Sequence, residues 1–148
     1  MRQRIGHALD GRWLWIAARI LIAVVFLSSG IAKLIDFPGA LAEMRAAGLQ
    51  PAWLFNILTA TVLIGGSVLV LLDRALWLGA VSLSVFLLLT IAIVHRFWAL
   101  EEPQATQALY WALEHVSLVG GLVAAAIASR FRKRLQVALE LHCGVSQR

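Results

Sequence analysis

Four long apolar stretches constrain the fold of this chain more than any other feature of its sequence. They cover residues 13–35, 52–72, 75–98 and 107–129, and each can cross the hydrocarbon core of a bilayer, which takes about 20 helical residues. The composition agrees, because 61% of the 148 residues are hydrophobic and 14% are charged. Soluble domains have roughly 45–50% apolar and about 25% charged residues. We therefore predict an all-α integral membrane protein built as a four-helix bundle.

The spans divide the chain into three parts: residues 1–12 precede them, residues 13–129 contain all four, and residues 130–148 form a basic tail. The positive-inside rule favours an orientation with both termini in the cytoplasm. The tail then serves as a topology signal, a surface helix or a docking segment. In this orientation the basic residues on the outer side are Lys33, Arg45 and Arg96.

The connections between spans carry their own signals. In the loop at 36–51, Pro38 and Gly48 mark the expected start and end of a short helix. This helix lies on the membrane surface or re-enters the membrane. The short connection at Asp73 and Arg74 predicts that the second and third spans form an antiparallel hairpin.

Two basic residues interrupt the first span, and their spacing places them almost on one helical face. They are Arg19 near its start and Lys33 near its end. Each charge needs a partner, water or a headgroup. For Arg19 the candidates are Asp73, hydroxyl or backbone oxygens, and a lipid phosphate, so we interpret it as a structural charge.

Four ionisable side chains are predicted in the outer half of the bundle. At about 1.5 Å per residue, Lys33 and His95 lie roughly 12–13 Å from the middle of their spans, and Glu114 and His115 roughly 5–6 Å. Lys33 can reach Glu114 from this position, which predicts a shared polar pocket. As alternatives, Lys33 and His95 extend to the headgroups, and Glu114 with His115 forms a structural polar bridge.

This set of groups suits an anionic or quinone-like head group and the transfer of protons. Two histidines and a glutamate can also ligate zinc, but no spacing such as His-x-x-x-His joins them, so no metal site is predicted. The rings of Trp98, Tyr110 and Trp111 stack on a ligand, or else Trp98 and Trp111 belong to the aromatic belt at the membrane interface. The candidate site residues are these: catalytic Glu114, His115 and His95; ligand-binding Lys33, Trp98 and Tyr110.

Other features exclude functions or predict packing. The net charge of +5 is explained by loops and tails, so no nucleic-acid partner is expected. The single cysteine, Cys143, excludes thiol–disulfide exchange within the chain. Small residues let helices approach closely in lipid, and the glycines expected to do so are Gly30, Gly65, Gly66, Gly79, Gly120 and Gly121.

Several of these residues together resemble the DoxX family of small bacterial membrane proteins, over about residues 13–129. Two features depart from the family pattern. Residues 59–64 lack the acidic residue that often precedes the glycine pair, and Glu114 with His115 replaces a Lys-Asn-like pair. The resemblance rests on Arg19, Phe26-x-x-x-Gly30-x-x-Lys33, Gly65-Gly66, His95-x-x-Trp98 and Gly120-Gly121.

The resemblance implies a redox context, since the family takes its name from a subunit of a thiosulfate:quinone oxidoreductase. Other members are linked to membrane oxidoreductase complexes or to thiol and oxidative-stress defence. We therefore predict a subunit of a quinone-linked or thiol/sulfur-related oxidoreductase system in the bacterial inner membrane. Quinone is the expected ligand, no cofactor is bound covalently, and electrons come from the substrate or from a soluble redox partner. The alternatives are a non-enzymatic scaffold for soluble redox proteins and a small-solute transporter, which needs a homo-oligomer for space.

Overall fold

The computed structural model describes residues 11–145, with side chains to residue 142. Of the predicted segment 1–12, residues 1–10 lie outside the described residues, and so does the side chain of Cys143. The described part of the chain contains these elements: α1 Arg12–Ile35, α2 Phe37–Ala46, α3 Ala52–Leu72, α4 Leu76–Ile93, a 3₁₀ turn Phe97–Ala99 and α5 Gln104–Val145.

Four segments are long and apolar enough to cross a membrane, namely Arg12–Ile35, Ala52–Leu72, Leu76–Ala99 and Gln104–His142. No β-strand occurs within residues 11–145. The predicted all-α, multi-pass four-helix membrane bundle is therefore confirmed. Many large apolar side chains on these helices are exposed in the isolated chain. Helices satisfy their backbone hydrogen bonds internally, so this apolar surface contacts lipid.

The spanning helices form a ring in the order α1, α3, α4, α5, and one of its four helix–helix interfaces is much weaker than the other three. Extensive contacts join each helix to the next in this order, whereas α1 and α5, which close the ring, contact each other only weakly. The interior is filled by aliphatic side chains and one phenylalanine, including Phe26, Leu63, Leu83 and Leu122, which are at most 3% exposed. The weakly closed edge between α1 and α5 leaves room for a cavity.

Three of the predicted packing glycines do lie at close helix approaches. A Cβ atom on Gly30 would lie 2.8 Å from the Ile64 side chain, and one on Gly79 would lie 2.7 Å from the backbone oxygen of Gly66. On Gly66 the added atom would meet Leu83.

The prediction was wrong for the other three glycines. A Cβ added to Gly65, Gly120 or Gly121 would meet no atom of the described chain within 4 Å. Adjacent positions on a helix point about 100° apart, so only one glycine of the pair at 65–66 can face a given neighbour.

The expected short helix after the first span is present as α2. Asp36 caps its start by accepting a hydrogen bond from the Gly39 amide at 3.1 Å, and Gly48 follows its end with a positive φ of 76°. Ala40 and Met44 are buried, and α2 contacts both α1 and α3. The helix therefore folds back onto the end of the bundle.

The fourth span and the basic tail form one helix in the structure. α5 begins at Gln104 and continues for 42 residues, which at 1.5 Å per residue gives about 63 Å, roughly twice the hydrocarbon thickness of a bilayer. No proline or glycine follows Ser129 until Gly144, so nothing separates the span from a surface helix. The distal part of α5 therefore extends beyond the bundle.

Asp73 joins three helices at the hairpin end of the bundle, which we define by Trp15, Asp73 and Ser129. Its carboxylate accepts hydrogen bonds from Trp15 Nε1 at 2.9 Å and from Ser129 Oγ at 2.5 Å. Lys133 Nζ donates to the Asp73 backbone oxygen at 2.5 Å and lies 3.4 Å from Oδ1. Asp73 itself ends α3 in the left-handed region, with φ of 55°. The turn thus presents one acceptor to α1 and α5 together.

Arg19 belongs to this same cluster. Its Nη1 donates to the Leu71 carbonyl oxygen at 2.9 Å and lies 3.9 Å from Asp73 Oδ2. Its guanidinium also lies 5.4 Å from the centre of the Trp15 ring, within cation–π range. The side chain is 11% exposed. Arg19 therefore holds the hairpin end together and lies far along α1 from Lys33.

The surroundings of Asp73 lower its pKa below the usual 3.8. Burial alone would raise this pKa, but hydrogen bonds from Ser129 and Trp15, with the charges of Lys133 and Arg19, outweigh it. A depressed folded-state pKa means that the charged form of Asp73 stabilises the fold above about pH 4, and that this contribution is lost as the pH falls through the folded-state pKa.

We expect Asp73→Asn to lower the thermal unfolding midpoint in detergent at pH 6, because the anion that Lys133 and Arg19 face is lost. The difference between wild type and variant should shrink as the pH falls below about 4, because the carboxylate of the unfolded wild-type chain then takes up a proton and the charge no longer favours the folded state in full. The measurement is the unfolding midpoint of both proteins across this pH range. A difference that stays constant with pH would contradict the assignment.

We also expect Gly79→Ala to destabilise the bundle by about 1–3 kcal/mol, as overpacking does, because the added methyl group meets backbone that cannot move aside. Gly65→Ala is the matched control. It adds the same group on an open face and should change the free energy of unfolding by less than about 1 kcal/mol, in the stabilising direction. Reversible unfolding in mixed detergent micelles measures both, and equal effects would refute this view of the α3–α4 contact.

Candidate functional site

A cavity of about 420 Å³ lies at the end of the bundle opposite Asp73, which we call the Lys33 end. Residues of both α1 and α5, the two helices that close the ring only weakly, line it. All four spanning helices and α2 contribute to its wall, which is mostly apolar. Its polar or charged lining residues include Ser29, Lys33, Asp36, Glu43, Thr90 and His115.

Lys33 forms an ion pair across this cavity wall with Glu43 of α2. The distance from Lys33 Nζ to Glu43 Oε2 is 2.6 Å. The Lys33 side chain is 17% exposed, whereas that of Glu43 is 67% exposed. The ammonium is therefore partly sheltered while its counter-ion faces outward, and α2 supplies the partner because it folds back over the end of α1.

A buried amide holds the backbone at the same place. Asn56, near the start of α3, is fully buried, and its Nδ2 donates to the Lys33 carbonyl oxygen at 3.1 Å. Its Oδ1 has no hydrogen-bond partner among the described residues. Asn56 thus satisfies one of the carbonyl groups that the last turn of α1 leaves open and fixes the position of Lys33.

Two histidines and a tryptophan form an aromatic cluster beside the cavity. The ring centroids of His95 and His115 lie 5.0 Å apart, and those of His95 and Trp111 lie 5.1 Å apart. His115 Nδ1 lies 2.7 Å from the Trp111 carbonyl oxygen. A carbonyl oxygen only accepts, so Nδ1 carries a hydrogen, and Nε2 is the acceptor in the neutral ring. His115 lines the cavity, with His95 against it.

The structure does not bring the other predicted residues into the cavity. Glu114 is exposed, and Lys33 pairs with Glu43 rather than with it, so the expected Lys33–Glu114 contact was wrong. Glu114 and His115 point about 100° apart on one helix, and the histidine faces the bundle. Tyr110 and Trp98 are 57% and 60% exposed, and the Trp98 ring lies 5.0 Å from that of Phe97.

A second cavity of about 350 Å³ adjoins the first. It shares Lys33, Glu43, Phe86 and Thr90 with the first cavity, and the rest of its wall is almost entirely apolar, with residues such as Met44, Phe55 and Leu89. The Lys33–Glu43 pair therefore lies where the two cavities meet, with the polar residues of the first cavity on one side and a more apolar space on the other. This arrangement fits a ligand that has a polar head and an apolar body.

Sequence reasoning missed two residues of this site, Asn56 and Glu43, and the sequence contained a signal for the first of them. Asn56 is a lone amide in an apolar span, and buried polar groups in membranes mark structural or functional contacts. Glu43 gave no such signal, because its role depends on how α2 folds back. Among the described residues, no three of the His, Cys, Asp and Glu side chains are grouped so that they could hold a metal ion.

A double-mutant cycle with Lys33→Met and Glu43→Gln tests the ion pair. We expect a coupling energy of about 0.2–1 kcal/mol, the usual range for a pair with one exposed partner, measured from free energies of unfolding. The cycle that pairs Lys33→Met with Glu114→Gln serves as control and should give additive effects. Coupling to Glu114 but not to Glu43 would contradict this geometry.

Comparison with known proteins gives one match, to a family model that covers most of α1 and all of α2 to α4. The family model described as DoxX matches residues 14–96, which is more than half of the 148 residues. No curated protein and no solved structure matches the chain. The matched region contains Arg19, Lys33, Glu43, Asn56 and His95, whereas α5 with His115 lies beyond it. This chain belongs to the DoxX family.

Proposed function

We propose that this protein is the membrane subunit of a quinone-linked oxidoreductase system and that it binds a quinone head group in the cavity beside Lys33. The observation that carries the proposal is the juxtaposition of a sheltered ammonium, an imidazole and a hydroxyl in one mostly apolar cavity. Its volume of about 420 Å³ falls within the usual range for ligand sites, about 300–1,000 Å³.

Each polar group has a role that its geometry supports. Lys33 Nζ has donors beyond the one used by Glu43 and can donate to a quinone carbonyl oxygen. His115 can exchange a proton through the ring nitrogen that does not bond Trp111. Thr90 keeps its hydroxyl bonded to the Phe86 carbonyl oxygen at 2.9 Å, so it shapes the wall rather than supplying a proton.

Reduction of a quinone to a quinol takes two electrons and two protons. A redox partner of this subunit supplies the electrons, and the protons enter through groups that reach the outside of the cavity. Glu43 is suited to this transfer, because its side chain is 67% exposed and contacts Lys33 directly. Glu114, which the sequence indicated as an acid–base group, lies outside the cavity and has no part in this scheme.

The apolar second cavity supports a membrane-soluble ligand in particular. It adjoins the head-group site at Lys33 and Glu43, so a ring bound at Lys33 has an apolar space beside it for an isoprenoid substituent. A soluble thiol or sulfur compound has no long apolar substituent that would fill that space. We therefore favour a quinone over the thiol- or sulfur-related substrates of the same functional class.

The location we propose is the bacterial inner membrane, with both termini in the cytoplasm. The support is the distribution of basic residues, since the hairpin end carries Arg74, Arg130 and Arg134 whereas the Lys33 end carries few. In this orientation the cavity lies in the outer leaflet, and the projecting end of α5 lies in the cytoplasm.

The main test is the binding of a short-chain benzoquinone analogue to the protein in lipid nanodiscs, measured by isothermal titration calorimetry. We expect Lys33→Met and His115→Leu each to weaken binding at least about tenfold, the effect of losing a hydrogen bond to a charged group or its equivalent. Glu114→Gln is the matched control on the same helix and should bind like wild type.

Unchanged binding in both cavity variants would overturn the proposal, as would an equal loss in Glu114→Gln. Thermal unfolding of each variant shows that the fold is kept. A scaffold function is the second candidate, favoured by the exposed distal part of α5. Removing residues 135–148 separates the two, since a scaffold loses its soluble partners whereas quinone binding at the opposite end persists.

A further inference from the structure

A groove at the hairpin end lies between the start of α4 and the distal half of α5. Its volume is about 470 Å³. It lies at the opposite end of the bundle from the Lys33 cavity, where the apolar spans meet the basic part of α5. The residues that line it are Leu76, Trp77, Ala126, Ser129, Arg130 and Lys133.

The charges around this groove leave an excess of positive charge. Asp73 is the nearest carboxylate, and Trp15, Ser129, Arg19 and Lys133 already contact it. Arg130 forms no ion pair with any of the residues that the structure describes. Arg19, Lys133 and Arg130 outnumber this one carboxylate, and Arg130 lines the groove without pairing with it.

The walls of the groove combine cationic and apolar side chains. Its apolar lining includes Leu76, which is buried, and Ala126, which is partly buried. Trp77 is 60% exposed at the start of a spanning helix, where tryptophan rings lie at the level of the headgroups. A ligand that fills this groove therefore needs a negatively charged group joined to an apolar chain.

We propose that this groove binds an anionic phospholipid, with its phosphate at Arg130 and Lys133 and the part of an acyl chain nearest the headgroup against Trp77. Basic residues attract anionic headgroups when they lie at the membrane surface, and both cations here do so beside an apolar wall. A free phosphate ion would use only the cationic half of the groove. The site is separate from the proposed quinone cavity and does not depend on it.

Bound lipid would also strengthen the junction of α3, α4 and α5. Lys133 already donates to the Asp73 backbone oxygen, so a phosphate at Lys133 and Arg130 extends the same polar cluster from the turn to the headgroup layer. The lipid then acts as an additional contact between the hairpin and α5, and it stabilises the folded protein by mass action.

The test is native mass spectrometry of the purified full-length protein, titrated in detergent with phosphatidylglycerol or with phosphatidylcholine of the same acyl chains. We expect one phosphatidylglycerol to bind in preference to phosphatidylcholine. Arg130→Gln should lower the phosphatidylglycerol affinity about fivefold, the effect of one basic residue near a membrane surface. Arg74→Gln is the matched control, because Arg74 is exposed at the same end but does not line the groove.

Three results would overturn the proposal. Equal binding of the two lipids would show that the headgroup is not recognised. An equal loss in Arg74→Gln and Arg130→Gln would show diffuse attraction to a basic surface rather than a site. Displacement of phosphatidylglycerol by a molar excess of inorganic phosphate would identify a free-phosphate site. Circular dichroism melts confirm that both variants keep the fold, which is expected because both arginines are exposed.

Discussion

The cost of placing a charge among apolar helices governs how this bundle is put together. A basic side chain within a membrane span costs at least about 2.5–3.5 kcal/mol at the bilayer centre, and the two basic residues inside the apolar stretch of α1 each meet an acidic group from another element. Arg19 faces Asp73 of the α3–α4 turn, and Lys33 faces Glu43 of α2. The two pairs fix the register of α1 against the rest of the chain, one at each end.

The two ends of α1 are nevertheless held in different ways. At the hairpin end, Trp15, Ser129 and Lys133 all converge on Asp73, so α1 and α5 are joined through one side chain. At the Lys33 end no comparable contact joins these two helices within the described residues, and the cavity occupies the space between them. The same helices thus form a firm junction on one side and a ligand-sized opening on the other.

Features that depend on local sequence were predictable, whereas those that depend on rotation or on distant folding were not. Span number, the hairpin at Asp73 and the short helix after Pro38 follow from apolar length and from helix breakers. The partner of Lys33 did not follow, because α2 must first fold back to place Glu43. Glu114 and His115 were both predicted to face the pocket, because sequence position alone does not give the rotation of α5 about its axis. The sequence also did not mark the end of that span, since no proline or glycine follows Ser129 until Gly144.

The continuity of α5 has a mechanical consequence. The Asp73 cluster holds the helix at Ser129, about 21 Å along the axis from His115, and about 24 Å of helix extends beyond that point to Val145. For a helix that stays unbent, the cluster is a fulcrum between two arms of nearly equal length. A sideways shift of about 2 Å that widens the cavity therefore swings the far end by about the same distance in the opposite direction. A rigid α5 therefore links the geometry of the cavity to the position of the helix end that extends beyond the bundle.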